Sequence, residues 1–261
     1  MPQGADLYIS AEVKKARPIL EGLSLGGVSG AGLGDFLDMT STLTAAVFRE
    51  EGRAGGRPRF YAAAAGKFPS ARGGLFFGAS RDWEKRVSAG GIGYWYSEKS
   101  GLAVFLGAKS AYLSHGDPFA PPPGAESPAA LEELRKGAVL SGWLDNPAPA
   151  FKRIAAAFGI PLEIPARRLL FGVYPGKGED YTAALTLETP SPIQAAALVR
   201  IFDLARRNIA GADFSSRPDL EALARALFAG VPRQEGAALI LKTGTVSGRD
   251  LALLFNTISV Y

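Results

Sequence analysis

Any imidazole chemistry in this chain must pass through one residue, because His115 is the only histidine among 261 residues. A serine nucleophile needs such a base beside it. Gly22-Leu23-Ser24-Leu25-Gly26 matches the G-x-S-x-G spacing of a nucleophile elbow. That elbow works because a buried strand leads into the serine and a helix leads out, which exposes the hydroxyl at the turn. Here the helical pattern KKARPILEGL leads in and a glycine-rich stretch leads out. A hydrolase built on Ser24 and His115 is therefore an alternative reading and not the leading one.

Leu241 to Thr245 reads LKTGT and resembles the KTG strand of serine β-lactamases and penicillin-binding proteins, through Lys242, Thr243 and Gly244 alone. Those enzymes acylate a serine in S-x-x-K. No serine here is followed by lysine three residues on, and LDNP stands where S-D-N would be needed. A hydrolase acting around Lys242 is kept as a second form of the same alternative. The glycine stretch GGVSGAGLGD fits neither phosphate-binding spacing. His115 and Asp117 are too few for a zinc site, which takes three or four protein ligands. The acidic pairs Glu50-Glu51, Glu132-Glu133 and Glu179-Asp180 fall on expected surface turns and helices. No catalytic residue, metal ligand or cofactor is assigned.

Two stretches could bind rather than catalyse. In GIGYWYSEKSG, Tyr94, Trp95 and Tyr96 share one expected strand, so Trp95 faces away from both tyrosines. One side of that strand enters the core, and the other leaves aromatic surface for a ligand or partner. In REEGRAGGRPR, Arg53, Arg57 and Arg59 crowd an expected hairpin tip and form a candidate anion site. The tip lacks the aromatic partners on which bases stack, so nucleic acid is not favoured as a partner.

These residues must be positioned by a mixed set of elements. Strands are expected at DLYISAEV, STLTAAVFRE, RFYAAAAGKF, on both sides of SEKSG, and at KSAYLSHG, where apolar residues alternate. A helix is expected after Leu7–Val13 and another from Ser70, with Ser70 as its N-cap. SLGGVSGAGLGDF reads as a loop. After the five prolines between Asp117 and Pro128 the order begins again: the strand GAVLSGWLD, the helix PAPAFKRIAAAFG, a hairpin around GKGE, the helix SPIQAAALVRIFDLARRN, the helix PDLEALARALFAG and the strand GAALILKTGT. Ser247 and Asp250 have the spacing of a capping box.

Phe60–Ser70 and Tyr181–Ser191 match without a gap at Ala62, Ala63, Pro69 and Ser70 against Ala183, Ala184, Pro190 and Ser191. With the shared element order, this predicts an internally duplicated α+β protein of βαββαβ repeats. Its sheet is expected to be mainly antiparallel with helices packed on it, and the split β-α-β arrangement is the model. The expected organisation is a first repeat over 1–116, a proline-rich linker over 117–128 and a second repeat over 129–261.

Composition bounds the function. The chain is 47% hydrophobic and 21% charged with net charge +4, enough to bury a core, and no apolar run reaches the length of a membrane helix. With no cysteine, disulfides and thiolate metal sites are excluded. The N-terminus carries no signal-peptide pattern, so either a cytoplasmic location or loss of a targeting segment is expected.

The run GKFPS, RDW and YWYSEKSGLAVFLGAKSAYLSHGDP, over about the middle third, resembles uncharacterised bacterial cell-envelope lipoproteins of spirochaete type. The resemblance implies export and anchoring through an N-terminal cysteine, which this chain lacks. The leading expectation is a non-enzymatic envelope protein, periplasmic or lipid-anchored, holding an apolar ligand, lipid or protein partner in a groove between repeats.

Overall fold

The computed structural model describes residues 5–23, 31–48, 59–120, 129–157, 164–211 and 218–258. The chain forms two compact units, Met1–Lys14 with Ala31–Pro128, and Lys15–Gly30 with Ala129–Tyr261. The fold class is α+β, with antiparallel sheet and helices packed on it.

The first unit contains β1 (Leu7–Glu12), the start of α1 (Val13–Glu21), α2 (Ala31–Met39), β2 (Thr40–Phe48), β3 (Arg59–Gly66), α3 (Ser70–Ala79), β4 (Glu84–Val87), β5 (Gly93–Ser97), β6 (Leu102–Leu106) and β7 (Ser110–His115). Its strands lie in the order β1-β2-β3-β7-β6-β5-β4. Every described pairing is antiparallel. Rows of paired side chains cross this sheet, so its two faces can be read from the register. One face carries Tyr61, Tyr112, Phe105, Tyr94 and Tyr96. The other carries Phe60, His115 and Trp95.

The second unit contains the rest of α1, α4 (Ala129–Arg135), β8 (Leu140–Asp145), α5 (Ala148–Ala157), β9 (Arg168–Pro175), β10 (Asp180–Glu188), α6 (Pro192–Ala210), α7 (Pro218–Leu227), β11 (Arg233–Glu235), β12 (Ala238–Lys242), β13 (Val246–Ser247) and α8 (Gly248–Ile258). The order β8-β9-β10-β12-β11 is again antiparallel, with β13 paired to β10.

One face of this sheet is thickly covered. Phe171 meets Phe255 of α8 at 5.6 Å, the Tyr181 hydroxyl donates to the Lys15 carbonyl of α1 at 2.9 Å, and Gln234 reaches the Pro192 carbonyl at the start of α6 at 3.0 Å. Leu187, Leu198, Leu239 and Leu251 are buried there. Burial of such side chains is worth about 1.5–3 kcal/mol each. Among the described residues the second face is covered by α4, over β8 and β9. Those two strands are therefore largely buried on both faces, whereas β10 and β12 alternate.

Four expectations need correction. The split β-α-β arrangement does not occur, since every described pairing is antiparallel and β1 and β8 each lie beside the very next strand, β2 and β9. The two helices between β1 and β2 return the chain beside β1 in the reverse direction. The glycine stretch ends in a helix, α2, because Leu33, Phe36 and Leu37 recur at helical spacing and Leu37 is buried. Pro69, not Ser70, holds the N-cap position of α3, and no side chain caps it. By contrast, Ser191 caps α6 by accepting from the Gln194 N–H at 3.3 Å. Finally, Glu84–Arg86, expected at the end of the helix from Ser70, belong to strand β4, and β11 was not expected, because EKR and RQE carry no apolar alternation.

Candidate functional site

The half-covered sheet of the second unit leaves a groove of about 820 Å³ beside α4. Its floor is one face of β10 and β12: Thr182, Ala184, Thr186 and Glu188 alternate along the first, and Ala238, Ile240 and Lys242 along the second. Glu133 and Leu134 of α4 with Tyr174 of β9 form one wall, and Glu235 of β11 stands at the far corner.

The wall stands where it does because of one glycine. Gly172 pairs with Ala184 in the sheet, and a Cβ on it would lie 2.7 Å from the Leu134 carbonyl oxygen. Its bare backbone lets the end of α4 settle onto β9. The Tyr174 hydroxyl then donates to that carbonyl at 2.8 Å. Partial burial raises the Tyr174 pKa, so the phenol stays protonated and keeps donating.

One end of the floor is ionic. Asp145, Arg168, Glu188, Ala238 and Glu235 form a row across five strands. Arg168 bonds Asp145 through Nε and lies 4.0 Å from Glu188. The hydrogen bond to Asp145 raises the Arg168 pKa first, and the charges of Asp145 and Glu188 add to it against burial. At the other end Lys242 is exposed and has no ion pair among the described residues.

The KTG-like residues serve the backbone. The Thr243 hydroxyl accepts from the Ala183 N–H at 2.8 Å and donates to the Gly244 carbonyl at 2.8 Å. The Gly244 N–H donates to Ala226 at 2.8 Å. Thr243 thus extends the pairing of β10 past the end of β12.

Of the other residues singled out by sequence, Ser24, Arg53 and Arg57 lie outside the described residues. Arg59 opens β3 and is exposed. The aromatic triplet is divided as its alternation requires. Tyr94 is buried beside Phe119 at 6.5 Å, the Arg86 guanidinium sits 3.7 Å over the Tyr96 ring, and Trp95 stacks on Phe77 of α3 at 6.0 Å. None of the three lines the groove. Among the described residues no cluster of three or more acidic or histidine side chains could hold a metal.

His115 is a strand-end residue. Its Nδ1 accepts from the Phe60 N–H at 3.2 Å, and its ring meets Phe60 edge-on at 4.6 Å. Burial, and then the Arg59 charge, hold its pKa below the usual 6.5. The folded chain therefore disfavours the imidazolium. The stability this represents is present above about pH 6.5 and is lost as the pH falls from there through the folded pKa. Melting temperature should fall over that window in the parent chain, and His115→Gln should abolish that part of the fall. Parallel pH profiles for the two proteins would contradict the assignment.

The groove lacked a sequence signature because its residues come from α4, β9, β10, β11 and β12. Lys242 was noticed, but for a catalytic motif and not for its place on an open sheet face.

The molecule so defined is an α+β protein of two units, each of antiparallel strands with helices packed on them, with an amphipathic groove in its second unit. No family model and no curated protein matches the sequence. The fold is similar to that of TP0453, an envelope protein of the spirochaete Treponema pallidum. Its crystal form I aligns with TM-score 0.63 at 18% identity over 98% of this chain and 94% of that one. Forms III and IV align with TM-scores of 0.62 and 0.60, also at 18% identity. No described helix is long and apolar enough to cross a membrane.

Proposed function

We propose that this chain is a non-enzymatic protein of the bacterial cell envelope, exported and resident in the periplasm or on a lipid anchor, and that its second unit holds a small, mainly apolar ligand beside α4. The observation that carries the ligand reading is the groove of about 820 Å³ on a sheet face whose reverse is packed with helices. Such concave sites, mostly apolar with a few placed polar groups, are where small ligands bind. The floor supplies Ala184, Ala238 and Ile240 with the hydroxyls of Thr182 and Thr186. The fold it shares with TP0453 supports the envelope assignment. The engagement of Thr243 with the backbone speaks against a KTG-type acyl transfer at Lys242.

The ligand reading is tested with an uncharged naphthylamine probe. Its fluorescence should rise saturably with the parent chain, and Thr186→Trp, which fills the floor, should weaken binding roughly tenfold or more. Absence of saturable binding, or binding unaffected by Thr186→Trp, would sink the reading.

The two units also read as copies of one ancestral plan. β3 lies between β2 and β7 and leads into α3, while β10 lies between β9 and β12 and leads into α6. An experimental structure in which β2-β3-α3-β7 fails to superpose on β9-β10-α6-β12 would remove that reading.

A further inference from the structure

Resting on the ligand reading, we infer that the occupant of this groove is a single-chain carboxylate amphiphile, its carboxylate held by Lys242 and its chain lying along β12 towards Ala238. The floor consists of registered rows. The first row holds Gly172, Ala184 and Lys242, the next Leu170, Thr186, Ile240 and Arg233 (which does not line the groove), and the third Arg168, Glu188, Ala238 and Glu235. Charge is distributed unevenly over them. Arg168 is occupied by Asp145 with Glu188 nearby, and Glu133 on the wall is bonded by Lys136 at 2.7 Å. Lys242 has no ion pair among the described residues and stands exposed at the edge of a floor of alanine, threonine and isoleucine.

That distribution sets both the sign and the direction of the ligand. A flexible ammonium on a four-carbon stem can follow a carboxylate at the mouth while its own methylenes cover the apolar floor. At the opposite end Glu188 and Glu235 repel a second anion. Lys242 and Ala238 are four residues apart on β12, roughly 13 Å at strand rise. A chain of about that reach covers the Ile240 row and stops short of the carboxylates. The same row sets a ceiling on useful chain length.

The test titrates the full chain calorimetrically with decanoate, 1-decanol and decylammonium, beside the uncharged naphthylamine probe. Decanoate should bind about tenfold more tightly than decanol, the size of effect a charged hydrogen bond supports, and decylammonium should bind no better than decanol. Lys242→Gln should erase the advantage of decanoate and leave decanol affinity within about twofold. The advantage should also shrink as salt is raised, because Lys242 is exposed. Equal affinities for acid and alcohol, or an advantage that survives in Lys242→Gln, would overturn the assignment of Lys242 while the probe still binds. Failure of the probe and all three amphiphiles would overturn the groove reading itself.

Discussion

Gly230→Ala should destabilise the second unit by about 3 kcal/mol or more, the upper end of what overpacking costs. Gly230 follows α7 and lies flat against the end of β12. A Cβ there would overlap the Lys242 carbonyl oxygen and sit 2.9 Å from its carbon. Neither side can yield cheaply. Lys242 is registered against Ala184, the Thr243 N–H donates to the Ala183 carbonyl at 2.8 Å, and Gly244 is tied to Ala226. The obstacle is thus paired backbone and not the end of a mobile side chain. Urea unfolding measures the effect, with Gly211→Ala as the comparator. A Cβ at Gly211 meets nothing within 4 Å, so that change should stay within about 0.5 kcal/mol. Equal midpoints for the two variants would contradict the argument.

Gly172→Val should cost about 2–4 kcal/mol and also damage the groove. The new Cβ alone would lie 2.7 Å from the Leu134 carbonyl oxygen and 2.9 Å from the Tyr174 hydroxyl, and valine adds two methyls. To relieve this, α4 must lift from β9. The Tyr174 bond to Leu134 then breaks, a loss of about 1 kcal/mol, and Leu131, the fully buried side chain of α4 itself, is uncovered. Tyr174→Phe isolates the first part and should lose only about 1 kcal/mol. Because α4 is the wall, Gly172→Val should weaken probe binding even in conditions where the chain remains folded. Unchanged stability with unchanged binding would show that α4 does not depend on this glycine.

The elements were legible where side-chain period and burial agree. β10 and β12 alternate, YTAALTLE and ALILK, because each has one face against helices and one open to the groove. β8 and β9, LSGWLD and RLLFGVYP, are buried along almost their whole length because α4 covers their second face. The capping pair is also as its spacing predicts: the Ser247 hydroxyl accepts from the Asp250 N–H at 3.1 Å at the start of α8. Where local signals are weak the reading failed. Glycines hid α2, and the charged edge strands β4 and β11 show no alternation.

By itself, then, the order of residues determined an α+β chain, the identity of most strands, and which side chains share a face. Tertiary structure decided which of those faces stays open. Alternation marks two sides of a strand, but it does not say which side will be covered. That depends on Gly172, one glycine among 32, admitting α4 over β9 and no further. Lys242, Glu188 and Tyr174 lie far apart in the chain and meet on one floor only because antiparallel pairing sets them in adjacent rows.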